Sequence, residues 1–419
     1  MPGPFFPPKS SRERAWIFAL IGVPMAVIAS GLINGGLSFL LTRQGVGMAQ
    51  SSGIISLLTL PTAIYFLWSP LTDFFVERKT WVMLGATAAA AAMVVTFYRP
   101  SLASPTAVAL LFLSACLGQL VISAGGGMMG TLRTEAARRR AASFWQGGSM
   151  GFGAVALFVI VSLGKRIPQG SLGWVIAAMI VLPAVFAIAA PHQEKIIADG
   201  AGQIFARIGR EFKDTFFHWK AVPYIACMVF PMGSGAAIGL LPGLAADYGV
   251  SGAHVAWLNG LGGAALAAAG AFSAGLLPAT KRASITYLSV CLVNESTLII
   301  LWVGPLHPAT YYLSTTLFLF TAGASYALFT AVILEFLGNS GKSGSSRYSI
   351  INGLGNLPVA YMAAIDGFGY SRWGTRGLPA ADAVVGIVGG SLLLAHFLMH
   401  RHDAPAIVPI TPAEAEAQA

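Results

Sequence analysis

Residues 50–98 read QSSGIISLLTLPTAIYFLWSPLTDFFVERKTWVMLGATAAAAAMVVTFY. Two apolar runs flank a short polar loop that holds Asp73, Glu77, Arg78 and Lys79. Each run has about the 20-residue length that carries a helix across a bilayer. The same alternation fills the chain, with apolar runs at 16–41, 50–71, 81–98, 106–129, 141–163, 172–190, 221–245, 251–276, 284–303, 309–334, 348–364 and 379–398. Inside lipid only helices and closed barrels satisfy their backbone groups. A barrel would show ten-residue alternating strands rather than solid apolar runs. The expected fold class is therefore all-α, a polytopic membrane protein of twelve transmembrane helices.

The positive charges orient these helices. Of 25 Lys and Arg residues, only Arg43, Arg99, Lys165, Arg166, Arg372 and Arg376 fall in one alternate set of gaps; all others fall in the opposite set and the tails. Cytoplasmic loops carry the excess of Lys and Arg, so both termini are expected in the cytoplasm. The composition, 56% hydrophobic and 10% charged, excludes an ordinary soluble domain, where about a quarter of residues are charged. The net charge of +9 follows from this bias and from the anionic inner leaflet, and does not indicate nucleic acid as a partner. Membrane lipid is the expected surrounding partner. Cys116, Cys227 and Cys291 all lie in apolar runs, as small packing residues do. The Pro-rich residues 2–8 and the long first run do not read as a cleavable signal.

The hydrophilic stretch 191–220 divides the chain into halves at 1–190 and 221–402, followed by a tail at 403–419 whose Ala, Pro and Glu content predicts disorder. Within the stretch, Ile204, Phe205, Ile208, Phe212 and Phe216 recur at helical spacing opposite Arg207, Arg210, Lys213 and Asp214. This predicts an amphipathic helix, lying on the membrane surface or against the bundle ends. A weak repeat relates the halves. Gly45-Val46, Ser69 and Arg78 correspond at one constant offset to Gly249-Val250, Ser273 and Arg282, and Pro24-Met25 returns as Pro231-Met232 at a slightly different one. Two parallel six-helix repeats joined by a cytoplasmic link describe the major facilitator architecture, whose solute site lies between the halves near mid-membrane.

The loop Ser69-Pro-Leu-Thr-Asp73-Phe-Phe-Val-Glu-Arg78-Lys79 resembles the cytoplasmic signature of that superfamily, a small residue followed by Asp and a basic pair. The resemblance implies a gate in which Asp73 pairs with Arg78 and Lys79 in one transport state and parts from them in the other. The wider segment Tyr65–Asp73, with Ser345-Ser346-Arg347-Tyr348-Ser349 and Asn356-Leu357-Pro358, is similar to the peptide/acetyl-coenzyme A transporter branch, the muropeptide permease AmpG-like proteins. Three positions depart from that branch. Gly130 stands where an Asp is usual, Phe144-Trp145-Gln146 stand for Gly-Tyr-Arg, and Tyr65 stands for a basic residue. Charged positions near the cavity are thereby neutral.

The intramembrane polar residues Asn34, Gln119, Trp145, Gln146, Asn352 and Asn356 lie in spans that this architecture turns toward the cavity. They are the candidate solute contacts, with Arg133 available for an anionic group at the cytoplasmic mouth. The same residues could instead be glue between helices. Glu295, near the middle of the ninth span, is the candidate proton-coupling residue, because an ionisable side chain at that depth is costly and marks function by default. Its alternative is a neutral Glu hydrogen-bonded to a neighbouring helix. Gly125, Gly127 and Gly130 match G-x-G-x-x-G, but no strand precedes them, so close helix packing is expected rather than a dinucleotide site. The seven His residues show no metal-binding spacing beyond His400 and His402, and no catalytic constellation is visible.

The expected function is secondary active transport of a small or medium organic solute by alternating access, driven by protons. The expected location is the inner membrane, the expected state is a monomer, and neither a cofactor nor an enzymatic reaction is expected. The alternative is a transport-inactive sensor or scaffold on the same fold.

Overall fold

The computed structural model describes residues 15–73, 75–132, 134–190, 209–210, 213, 216–217, 219–278, 282–337 and 344–400. Most of the linker, including its expected amphipathic helix, lies outside the described residues, as does the 403–419 tail. All regular structure among the described residues is helical. Eight helical stretches there are long and apolar enough to cross a membrane. Seven are single spans: the first (Ile17–Arg43), third (Arg78–Phe97), fourth (Pro105–Gly130), fifth (Glu135–Gly164), sixth (Gln169–Ala189), ninth (Ala283–Val303) and tenth (Pro308–Leu337). The eighth stretch, Tyr348–Met399, holds the eleventh span, in pieces Gly344–Leu354 and Leu357–Trp373, and the twelfth, Gly377–Met399.

The other apolar runs fold as shorter helices. The second span is Met48–Ile64 continued by a 3₁₀ turn. The seventh is Val222–Val229 and Ala236–Leu244, and the eighth Gly252–Leu258 and Leu261–Ala274. Local chemistry sets the starts of the continuous helices. Ser104 and Thr134 accept the N–H of Ala107 and Ala137, satisfying orphan donors of the fourth and fifth helices.

Small residues decide how closely the helices pack, because lipid gives apolar side chains no reason to prefer one another. A Cβ on Gly148 would lie 2.2 Å from Ala19 O, and one on Gly31 2.5 Å from the Ala156 Cβ, so the first and fifth helices touch at backbone distance. The eighth and tenth do the same: a Cβ on Gly270 would meet Phe320 O at 1.8 Å, and one on Gly323 would meet Ala267 O at 1.9 Å. Gly125 accommodates the Trp145 ring and Gly126 the Tyr348 ring, so this glycine run serves helix packing.

The halves join at the side of the bundle where the first helix begins and the twelfth ends. There Ser349 Oγ donates to Ser123 Oγ at 2.9 Å, and Ser123 lies 3.0 Å from the Thr72 hydroxyl. Asn352 donates to the Tyr65 hydroxyl at 3.0 Å and Asn356 to Thr62 O at 3.2 Å. Arg139 donates to Pro278 O at 2.9 Å, across the halves. The start of the eleventh span is thus stitched to the second and fourth.

Candidate functional site

Above this seam lies a cavity of about 340 Å³. The amino-terminal half supplies Ser30, Gln146, Ser149 and Met150. The other half supplies the 228–234 segment, aromatic rings of Tyr287, Tyr326 and Phe329, and Asn352 and Asn356. Among the described residues, no Asp, Glu, Lys, Arg or His side chain lines it. A mostly apolar wall with a few convergent amides and hydroxyls suits a small organic ligand.

The structure brings Gln146, Asn352 and Asn356 together on this wall. Gln146 donates to Thr330 Oγ1 at 3.1 Å, so each of the three amides has one partner and faces the cavity. Asn34 is exposed one turn beyond Ser30 on the first helix, outside the cavity lining. Gln119 is 4% exposed and not in the lining. Trp145 is buried within its own half, against Gly22 and Gly125. Arg133 lies outside the described residues. Asp73 and Arg78 form a buried ion pair at 2.8 Å, and Arg78 also reaches Gly127 O at 3.4 Å. Lys79 turns away from this pair to Glu77 at 2.9 Å.

The seventh span breaks where it meets the cavity. Pro231 has no N–H to give a helix, and Gly233 and Gly235 adopt φ values of +61° and +73°, which glycine enters without steric cost. A Cβ at Gly235 would fall 1.8 Å from the Tyr326 hydroxyl, and one at Gly233 2.7 Å from Cys291 Sγ. Side chains of three other helices satisfy the freed backbone groups. Tyr287 donates to Met232 O at 3.2 Å and Tyr326 to Ser234 O at 3.0 Å. The Tyr361 hydroxyl donates to Val229 O. Glu295 Oε1 accepts the Gly233 N–H at 2.7 Å.

Glu295 does not stand alone. Asp382 of the twelfth helix lies close to it, and Asp366 of the eleventh lies close to Asp382. All three are buried, at 2%, 3% and 0% exposure for Glu295, Asp382 and Asp366. No N–H or O–H of the described residues reaches Glu295 Oε2 or either Asp366 carboxyl oxygen, and no basic side chain pairs with any of the three. Neighbouring carboxylates without a counter-charge repel one another, and a proton shared among them relieves that repulsion, so the cluster is suited to hold one. Gly386 makes the room: a Cβ there would lie 2.5 Å from Glu295 Cδ.

On the span limits read from the sequence, 348–364 and 379–398, Glu295 is the one acidic residue well inside a span. The structure corrects this. The eleventh span runs to Trp373 and the twelfth starts at Gly377, which places Asp366 and Asp382 inside helices rather than at their margins. The signal was present as acidic residues in apolar surroundings without a basic neighbour four positions away.

No family model matches the sequence, and no curated protein matches it. Solved structures do. That of the human organic anion transporter MFSD10 (TETRAN) is similar at TM-score 0.64 and 13% identity, covering 91% of this chain and 99% of that one. A major facilitator superfamily transporter, FucP, in the outward conformation has TM-score 0.66 and 13% identity, with 91% and 99% covered. A variant of the E. coli fucose:proton symporter FucP has TM-score 0.64 and 15% identity, with 92% and 99% covered. At these identities the likeness is one of architecture. The chain is a multi-pass membrane protein with the major facilitator fold, twelve helices in two six-helix halves.

Proposed function

We propose that the protein is a proton-coupled secondary transporter that moves a neutral or amphiphilic organic solute by alternating access. The observation that carries the reading is an uncharged cavity between the halves with a buried carboxyl cluster directly behind its wall. The solute contacts are Gln146, Asn352 and Asn356, joined by Ser30 and Ser234, with Asn34 and Gln119 further from the cavity; Arg133, outside the described residues, is available for an anionic group. Glu295 carries the coupling proton together with Asp382 and Asp366. The structural neighbours support transport as a class, and one of them is named a fucose:proton symporter. The uncharged lining distinguishes this cavity from one selected for an organic anion.

The location is the inner membrane, as a monomer with cytoplasmic termini. On that orientation the halves close at the cytoplasmic face, and the Asp73–Arg78 pair helps hold them so. The chain reads as a diverged member of the peptide/acetyl-coenzyme A branch, in which the neutral Tyr65–Asn352 hydrogen bond replaces a charge beside the cavity.

A thermal-shift screen of purified protein against neutral and amphiphilic solutes, muropeptides and coenzyme A esters finds the ligand. Counterflow and proton-driven uptake in proteoliposomes then test transport. A ligand that binds but neither exchanges nor accumulates would identify the sensor instead. Asp73→Asn is expected to slow exchange more than it weakens binding, since a gate of this kind biases a two-state equilibrium by about 1–3 kcal/mol. Reporter fusions at Gly170 and Gly374 should signal the far side, and one at Gly202 the cytoplasm.

A further inference from the structure

We infer that Glu295 is a positioning residue that ties the carboxyl cluster to the solute cavity through one backbone hydrogen bond, at Gly233 in the break of the seventh span. The inference rests on the transport reading for the meaning of the cavity, and adds how proton and solute sense each other.

Three observations meet at this point. Gly233 belongs to the cavity wall, between Met232 and Ser234, which also line it. Its N–H is held by Glu295 at 2.7 Å. The other carboxyl oxygen, Glu295 Oε2, has no donor from the described residues and lies toward the twelfth helix, 2.9 Å from where a Cβ on Gly386 would sit, on the helix that carries Asp382; both oxygens of Asp366 also lack a donor there. One side chain therefore has one oxygen on the cavity wall and one in the proton-holding cluster.

The cluster also has a direction. Glu295 sits near the middle of its helix, whereas Asp366 lies seven residues before Trp373 and Asp382 five residues after Gly377, roughly 10 Å from the face opposite the start of the first helix. The groups around Glu295 are Asp382 and Asp366 from the twelfth and eleventh helices, and Tyr287 and Cys291 from its own. Tyr326 of the tenth helix faces Asp382. Among the described residues no basic group joins them, so a proton is the species that changes charge here.

When a proton enters, it bonds to one carboxyl oxygen and is shared with a neighbouring carboxyl; no other bond forms or breaks. A hydrogen bond to a charged acceptor is about twice as strong as one to a neutral acceptor. Protonation therefore loosens the hold on Gly233 and frees the 232–234 wall, and loss of the proton tightens it. A solute that rests against this wall binds differently to the two forms.

The test needs no ligand. In full-length protein with Cys116, Cys227 and Cys291 replaced by Ser, Ser234→Cys is labelled with a water-soluble methanethiosulfonate reagent from acid to alkaline pH. Ser149→Cys, across the cavity, is labelled in parallel, and the ratio of the two rates cancels the ordinary pH dependence of thiols. The ratio should rise about fivefold or more on acidification, the lower end of typical coupling factors. Glu295→Gln keeps an acceptor for Gly233 but cannot titrate, and should flatten the profile. Asp382→Asn should move its midpoint. A flat profile in the parent, or an unchanged one in Glu295→Gln, overturns the inference. If Glu295→Gln does not fold, an unmoved midpoint in Asp382→Asn overturns it. A flat profile in protein that still shows proton-driven uptake removes this link alone. A pH-dependent profile without uptake removes the transport reading alone.

Discussion

The first spans of the two halves carry the same Pro-Met pair and end differently. Pro24-Met25 sits in a helix that continues without interruption to Arg43, with wide π-type turns from Val27 to Gly36. Pro231-Met232 sits in a helix that stops at Val229 and resumes at Ala236. The proline is common to both, so it does not by itself explain the break. Two differences do. The seventh span has glycines at 233 and 235 that accept left-handed backbone angles. It also has Tyr287, Tyr326, Tyr361 and Glu295 around it to satisfy the groups that a break leaves unpaired. In the first span, Gly31, Gly35 and Gly36 instead lie against Ala156, Leu157 and Ile160 of the fifth helix, and helical packing holds. Broken helices near mid-membrane are where transporter folds expose backbone to a ligand. On the inferred coupling, this asymmetry puts the sensing wall in the carboxy-terminal half and the rigid wall in the other.

Gly235→Ala should produce the largest effect. It forces a left-handed Ala, at about 1–2 kcal/mol, and displaces the Tyr326 hydroxyl from Ser234, at about 0.6 kcal/mol for a hydrogen bond within the membrane. A loss of about 2–3 kcal/mol is expected in detergent thermal unfolding. Gly35→Ala in the first span meets the mobile end of Leu157 at 2.7 Å and should cost under about 1 kcal/mol. Equal losses would erase the distinction between the two walls.

Glu295→Leu leaves the Gly233 N–H unpaired and should destabilise by about 1–3 kcal/mol. Glu295→Gln should keep stability and solute exchange while abolishing proton-driven uptake. Loss of exchange in well-folded Glu295→Gln would make Glu295 a solute contact instead.

Alanine at Gln146 or Asn352 should weaken solute binding about tenfold, the equivalent of ~1.4 kcal/mol. Isothermal titration with the solute found by screening reads this directly. Alanine at Asn34 or Gln119, outside the lining, should change affinity less than about twofold, well under one modest hydrogen bond.

The smallest expected effect is that of Tyr326→Phe. It leaves Ser234 O without its hydroxyl partner, and membrane hydrogen bonds average only about 0.6 kcal/mol. A shift of about 1 °C in melting temperature is expected, with the pH dependence of labelling at Ser234→Cys retained.

The span pattern, the all-helical class and the division into two similar halves were legible because each follows from local composition. Any apolar run of this length must be helical in lipid, whatever it packs against. Gln146, Asn352 and Asn356 were legible as polar residues in spans that face the centre. Asn34, Gln119 and Trp145 belong to the same class of residue, yet they lie off the cavity, because helix rotation and bending set which face looks inward. In the first span the π-type turns of 27–36 alter that rotation. Asp366 and Asp382 escaped notice because hydropathy blurs helix ends, and a carboxyl near an apparent margin looks like an ordinary polar cap.

By itself the sequence determined that the chain is a bundle of apolar helices with one basic face, and that one acidic side chain lies deep in it. Those properties are sums over neighbouring residues. Only the tertiary structure decided that Glu295, Asp366 and Asp382 form one cluster, and that the Gly233 N–H joins the cluster to a cavity. Residues from four different helices meet there, and the order of residues along a chain does not encode the distances between its helices.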